Sequence, residues 1–141
     1  MKALNILKNI GLYIWQLPQN LLGLILIVFY KPKHKHTTDD GIEIHYSSTM
    51  LGGISLGKYA IVNTNHYRKD IKDSLKRDTV RHEAIGHTKQ SRIFGPLYLI
   101  IIGLPSITWA GMYGTIVKRT TNGYYRFWTE AWADKIAGVK R

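Results

Sequence analysis

The stretch Arg81-His82-Glu83-Ala84-Ile85-Gly86-His87 sets two imidazoles five residues apart, with a carboxylate directly after the first. Imidazoles are frequent zinc ligands, and a glutamate beside a ligand histidine can act as general base toward a metal-activated water. In the common zinc-protease signature the two histidines sit four apart, on one face of a helix. Five residues on a regular α-helix turn the side chains about 140° away from each other. One extra residue absorbed as a π-bulge brings them back together, and such bulges recur at functional sites. Gly86, directly before the second histidine, makes that distortion inexpensive. The motif therefore predicts a helix over residues 78–93 with a π distortion, His82 and His87 as zinc ligands and Glu83 as base.

A third ligand must be nitrogen or oxygen, because the chain has no cysteine. Glutamates are scarce: Glu43, Glu83 and Glu130 are the whole set. Glu130 and Asp134 lie four apart, on one face of a helix expected over residues 124–138 and rich in Phe127, Trp128, Ala131, Trp132 and Ala133. Carboxylates on so apolar a helix need partners, since burying an unpaired charge is expensive. A dication and a ligand imidazole would supply them; surface ion pairs with Arg126 and Lys135 are the alternative. Three protein ligands would leave a fourth position for water. The oxyanion donor stays open among His45, His66, Tyr67, Tyr124 and Tyr125. His34 and His36 could chelate, but the run Lys31-Pro32-Lys33-His34-Lys35-His36 reads better as a charged loop.

The segment His82-Glu83-Ala84-Ile85-Gly86-His87 resembles the six-residue zinc motif of dipeptidyl peptidase III, whose histidines are also separated by an extra residue. In that family the first Glu of a downstream Glu-x-x-Ala-Glu segment is the third zinc ligand. This chain has Glu130-Ala131-Trp132-Ala133-Asp134, and Glu-x-x-x-Asp spacing is found in thermolysin-like metallopeptidases. The resemblance to these gluzincins implies zinc on His82, His87 and Glu130, Asp134 orienting a ligand histidine, and a peptide or protein substrate. It covers about a dozen residues. Gln90–Tyr98 further resembles small bacterial membrane proteins carrying a His-Glu motif, which brings no activity with it.

These residues need elements to position them. The 141 residues fit one domain. The pattern predicts a predominantly helical α+β fold: a zincin-like active-site helix pair, a small antiparallel sheet and two apolar helical hairpins. In residues 1–30 two short helices meet at Pro18, after Gln16 and before Gln19 and Asn20, with Tyr13 and Trp15 as interfacial anchors. No small-x-small pattern follows the apolar run, so a signal peptide is a poor match. Residues 41–63 carry the strand signal, with Ile42, Ile44 and Tyr46 alternating with Glu43, His45 and Ser47, and Tyr59–Val62 as a second strand. Residues 93–117 are apolar, broken by Gly103, Pro105 and Gly111.

The formal charge of +11 points to a polyanion or an anionic membrane surface. No helix-turn-helix, RNA-binding or zinc-finger signature accompanies it, which disfavours nucleic acid. Residues 31–92 hold 12 Lys/Arg against 7 Asp/Glu, while Leu21–Tyr30 and Ile93–Val117 hold no charge. Basic segments beside apolar ones favour membrane lipid as partner. A straight span over 93–117 would place the histidines and Glu130 on opposite sides of a bilayer, so a hairpin bent near Gly103-Pro105 and dipping into one leaflet is expected. Abundant Lys/Arg in the polar segments fits the cytoplasmic face of a bacterial inner membrane. The sequence thus reads as a membrane-associated zinc metallopeptidase. A non-catalytic basic membrane-interaction protein is the competing class, and oligomeric state is not encoded legibly.

Overall fold

The computed structural model describes residues 1–114 and 121–141. The chain opens with helix α1 (Lys2–Trp15) and helix α2 (Leu17–Tyr30), which meet at an 85° corner rather than folding back as a hairpin. The break falls at Gln16. Pro18 sits in the first turn of α2, where a missing N–H is harmless. Gln16, Gln19 and Asn20 are not exposed interruptions: the last two are 0% exposed, and the first nearly so. Ser91 Oγ donates to Gln16 Oε1 (2.7 Å), Gln19 Nε2 donates to the Gly95 carbonyl (2.8 Å), and the Lys58 N–H donates to Asn20 Oδ1 (2.7 Å). These buried amides fasten the corner to the rest of the fold. Trp15, expected as an interfacial anchor, also donates its indole N–H to the Arg92 carbonyl.

The sheet holds β1 (His34–Thr37), β2 (Glu43–Ser47), β3 (Gly53–Leu56) and β4 (Tyr59–Asn63), in the order β1-β2-β4-β3. It is mixed, not antiparallel, because β2 and β4 run parallel while β1–β2 and β3–β4 are antiparallel. The β3–β4 hairpin adds to β2 on the side away from β1, with β4 beside β2 in the same direction and β3 at the edge. The basic run after α2 is also not a loop: it forms edge strand β1, with His34 stacked on Tyr67 and His36 bonded to the Tyr46 hydroxyl.

A short helix α3 (Ile71–Ser74), capped by Asp70, precedes the central helix. That helix runs through α4 (Asp78–Arg81), a π-helical stretch His82–His87 and α5 (Thr88–Phe94). Val80 and Ala84 pack with Ile42, Ile44, Tyr46 and Val62 of the sheet to form the first core. The chain turns at Gly95–Leu97 (Gly95 φ +51°), passes through a π-helical stretch Leu99–Gly103 and continues as α6 (Leu104–Met112). The expected hairpin at Gly103-Pro105 is therefore absent. Pro105 occupies the first turn of α6, directly after the wide π turn, and the helix continues through it. Residues 115–117 of the expected apolar segment lie outside the described residues. No single helix among the described residues is long and apolar enough to cross a membrane.

After α7 (Thr121–Tyr124), α8 (Trp128–Ala137) ends at Gly138 in the left-handed conformation, which glycine adopts without strain. The central helix and α8 approach very closely. A Cβ on Gly86 would lie 2.5 Å from the Ala133 carbonyl oxygen. Gly86 is thus required for helix-to-helix contact, a different reason from the backbone distortion inferred from sequence. Arg81 ties the pair at one end, donating to the Ala137 and Gly138 carbonyls (2.8 and 2.6 Å) at the negative end of α8. Gly86→Ala is expected to force these helices apart and destabilise the protein by about 3 kcal/mol, lowering the melting temperature by roughly 10 °C. An unchanged thermal melt would show that the helices do not meet there.

Candidate metal centre

The π-helical stretch does what the five-residue spacing needs. Its wider turn returns His87 over His82, and the two rings meet edge-to-face with centroids 4.7 Å apart. Ala133 packing on Gly86 brings α8 alongside, which delivers Glu130 from the first turn and Asp134 one turn later. His82 Nε2 lies 2.9 Å and His87 Nε2 3.3 Å from the same oxygen, Glu130 Oε2. One ligand atom from each of the three residues falls within 4.8 Å of the others, and all three residues are buried.

The outward-facing ring nitrogens decide the chemistry of the inward ones. His82 Nδ1 lies 2.7 Å from Asp134 Oδ1, and His87 Nδ1 2.7 Å from Gln90 Oε1. The carboxylate of Asp134 accepts and also receives Arg141 Nε at 3.1 Å. The Gln90 amide is oriented by its own NH₂ donating to the Thr129 carbonyl (3.0 Å), which turns its oxygen toward His87. Both imidazoles therefore carry their proton on Nδ1, and in the neutral form both Nε2 atoms present lone pairs. Two nitrogen lone pairs and a carboxylate oxygen then face one another in a desolvated pocket. Such an arrangement needs a cation at its centre, a proton or a metal ion. With its second-atom hydrogen bonds in place, it offers two nitrogen donors and one carboxylate oxygen that could bind a metal ion.

The electrostatics agree. Burial alone would pull His82 down, but the bonds to Asp134 and Glu130 outweigh it and raise its pKa to about 9. His87, likewise opposed by burial, is raised by Glu130 and Glu83. Burial would raise Glu130, yet the two imidazoles hold it well below the usual carboxylate range. Glu83 goes the other way, pushed up chiefly by burial. Its Oε2 is buried with no hydrogen-bond partner among the described residues, and its carboxylate borders two cavities on either side of the ligand cluster. The side chain lies so close under β3 that a Cβ on Gly53 would come within 2.6 Å of Glu83 Cγ.

Every site residue expected from sequence is thus brought to one place: His82, Glu83, His87, Glu130 and Asp134. Neither carboxylate of α8 pairs with Arg126 or Lys135; Glu130 meets the two histidines, and Asp134 meets His82 and Arg141. Of the five candidate oxyanion donors, His66, Tyr124 and Tyr125 border the cavity beside Glu83. His45 is instead paired with Glu43 on the sheet, and Tyr67 packs on His34, His36 and Tyr46. His34 and His36 take no part in the cluster. The sequence reading missed Gln90, Thr129 and Arg141. Gln90 stands three residues after His87, on the same helix face, and that spacing was the available signal. Thr129 Oγ1 sits 3.3 Å from Glu130 Oε1 and receives a bond from Ser106 (2.8 Å), which steadies the carboxylate.

Compared with known proteins, the chain matches no family model, no curated protein sequence and no solved structure.

Replacing Gln90 with leucine removes the acceptor from His87 Nδ1. It is expected to weaken the binding of an added divalent metal ion ~10–100-fold, measured by competition with a chromogenic chelator, while Gln90→Glu restores most of it. Equal affinity in Gln90→Leu would mean that the amide does not set the His87 tautomer.

Proposed function

We propose that the chain is a zinc-dependent hydrolase, of the metallopeptidase kind, acting at a membrane surface. The observation that carries this reading is the convergence of His82 Nε2, His87 Nε2 and Glu130 Oε2 on one point, with both Nδ1 atoms committed elsewhere. These three residues would hold the metal. When bound there, zinc supplies a Lewis acid that polarises a carbonyl oxygen and lowers the pKa of water toward ~7.

Glu83 is not a ligand and is suited to move protons. Burial pushes its carboxyl above the ordinary carboxylate range, which makes it a stronger proton acceptor. Its Oε2 has no hydrogen-bond partner among the described residues, and the residue lines the cavity. Asp134 and Gln90 fix the two imidazole rings, and Asp134 can take up the positive character that His82 gains. His66, with its Nδ1 unpartnered, and the hydroxyls of Tyr124 and Tyr125 are the donors available to a developing oxyanion.

Support for a peptide, among amides and esters, comes from the sheet edge. Strand β4 is internal to the sheet, and the open edge beside Glu83 is β3. The Asn63 N–H bonds the Gly52 carbonyl, so in the alternating antiparallel ladder the next pair, Gly53 and Val62, is not hydrogen-bonded and Gly53 turns its backbone groups outward. The Ser55 carbonyl faces the same way and receives the Tyr98 hydroxyl (3.0 Å). An extended peptide could pair with Gly53 directly over the general base. The membrane setting is supported by the charge of +11 beside uncharged helices.

Protein purified without added metal is expected to carry about one zinc per chain; less than about half an equivalent by elemental analysis would contradict the proposal. Glu83→Gln should keep the zinc and lose hydrolysis more than ~100-fold, whereas His82→Ala should lose both. In the metal-free protein His82 stays protonated up to about pH 9, so zinc must displace a proton. Its apparent affinity is expected to rise about tenfold per pH unit across the neutral range, with proton release visible by calorimetry in buffers of different ionisation enthalpy. A pH-independent affinity would contradict this.

A further inference from the structure

The helices around the site are inside out for a water-soluble protein. Helix α2 buries Gln19, Asn20 and Gly23, and leaves Leu21, Ile25, Val28 and Phe29 between 51% and 75% exposed. Neither α1 nor α6 buries a single described side chain, although both are predominantly apolar. No Asp or Glu occurs in residues 1–38 or 84–129, whereas Lys2, Lys8, Lys31 and Lys33 flank the exposed faces of α1 and α2. An uncovered apolar surface of this extent, with lysines in and beside its two N-terminal helices and Asp40 as the one acidic residue lining the groove along α1, complements an anionic bilayer.

The site opens onto that surface. A cavity of about 430 Å³ lies between α2 and α6, walled by Leu22, Leu99, Leu104 and Ile107. Its floor is the buried Glu83, His87 and Glu130, and its rim includes Leu104 and Ile107, which are 62% and 57% exposed. On the far side of Glu83 and Glu130 a second cavity of about 400 Å³ has a different character, bordered by His66, Thr79, His82 and Tyr125. The two share Gly53, Glu83, Ala110, Tyr124 and Glu130. The ligand cluster therefore stands where an apolar cleft meets a polar one.

Resting on the hydrolase reading, we propose that the substrate is a membrane-anchored chain whose apolar anchor passes from the bilayer into the cleft between α2 and α6, and that the bond cut joins the anchor to its polar part. Water adds across that amide: its hydroxyl goes to the acyl carbon and its hydrogen, by way of Glu83, to the departing nitrogen. The anchor enters as an acyl chain or as an extended apolar peptide segment, two sources of the same chemistry.

The test uses the zinc-loaded full chain with vesicles of equimolar phosphatidylcholine and phosphatidylglycerol. Three random-sequence peptide libraries are compared by mass spectrometry: palmitoylated, carrying an oligoleucine tail, and unanchored. At least one anchored library is expected to be cut ~10-fold faster or more than the unanchored one, since burying even two CH₂ groups is worth that much; the faster arm identifies the anchor. Ile107→Asp and Leu104→Asp, both at exposed positions and checked for unchanged circular dichroism, should remove that advantage. In parallel, an octanoylated or leucine-tailed fluorescent peptide should bind Glu83→Gln protein in solution and lose ~10-fold affinity with Ile107→Asp added. Equal cleavage of all three libraries would overturn the anchor proposal and leave the hydrolase reading standing. No cleavage of any library by zinc-loaded protein would overturn the hydrolase reading, and failure of both fluorescent peptides to bind would overturn the anchor itself.

Discussion

Three acceptors aimed at one point cannot be left without a cation. His82 Nε2, His87 Nε2 and Glu130 Oε2 converge in a pocket from which water is largely excluded, and their mutual repulsion there is not screened. The constraint is set from outside the cluster, by Asp134 and Gln90 holding the Nδ1 protons. Without those two acceptors each ring could turn its N–H inward and satisfy Glu130 by ordinary hydrogen bonds. With them, the centre must hold either a mobile proton or a metal ion.

Much of the fold can be understood as meeting that requirement. The π-helical stretch aligns the histidines, and the absence of a Cβ at Gly86 lets α8 come close enough for Glu130 to reach both. Arg81 ties the central helix to the terminal carbonyls of α8, and Arg141 folds back from the tail onto Asp134. The sheet supplies a rigid floor through Val80 and Ala84, and its open edge brings Gly53 above Glu83. The N-terminal corner contributes at a distance: Gln16, Gln19 and Asn20 grip α5 and the β3–β4 turn, so that the apolar helices are held in fixed relation to the site.

The sequence made the ligands legible because their chemistry is rare in this chain: three glutamates, two of them in the cluster region, and a His-Glu pair on a predicted helix. The spacing of five required a π distortion, and the π distortion is present. The helical α+β class followed from period and punctuation. What escaped was mostly polar residues with ordinary partners of their own. Gln90 looks like any helical glutamine until its amide is seen between His87 and Thr129. Gln16, Gln19 and Asn20 read as interruptions of an apolar stretch, although burial with hydrogen bonds to other elements is equally consistent with their composition. The Lys-His run hid strand β1 because charged residues suit an edge strand as well as a loop. Pro105 suggested a bend that the preceding π turn absorbs. The parallel pairing of β2 with β4 depends on a crossover that local pattern does not encode.

The central claim is tested most directly by an anomalous-difference map collected at the zinc edge from crystals grown without chelator. The account requires a single strong peak bonded to His82 Nε2, His87 Nε2 and a Glu130 oxygen at ~2.0–2.2 Å, with both Nδ1 atoms still on Asp134 and Gln90. A fully ordered site with no anomalous peak between these three residues, in protein exposed to zinc, would contradict it.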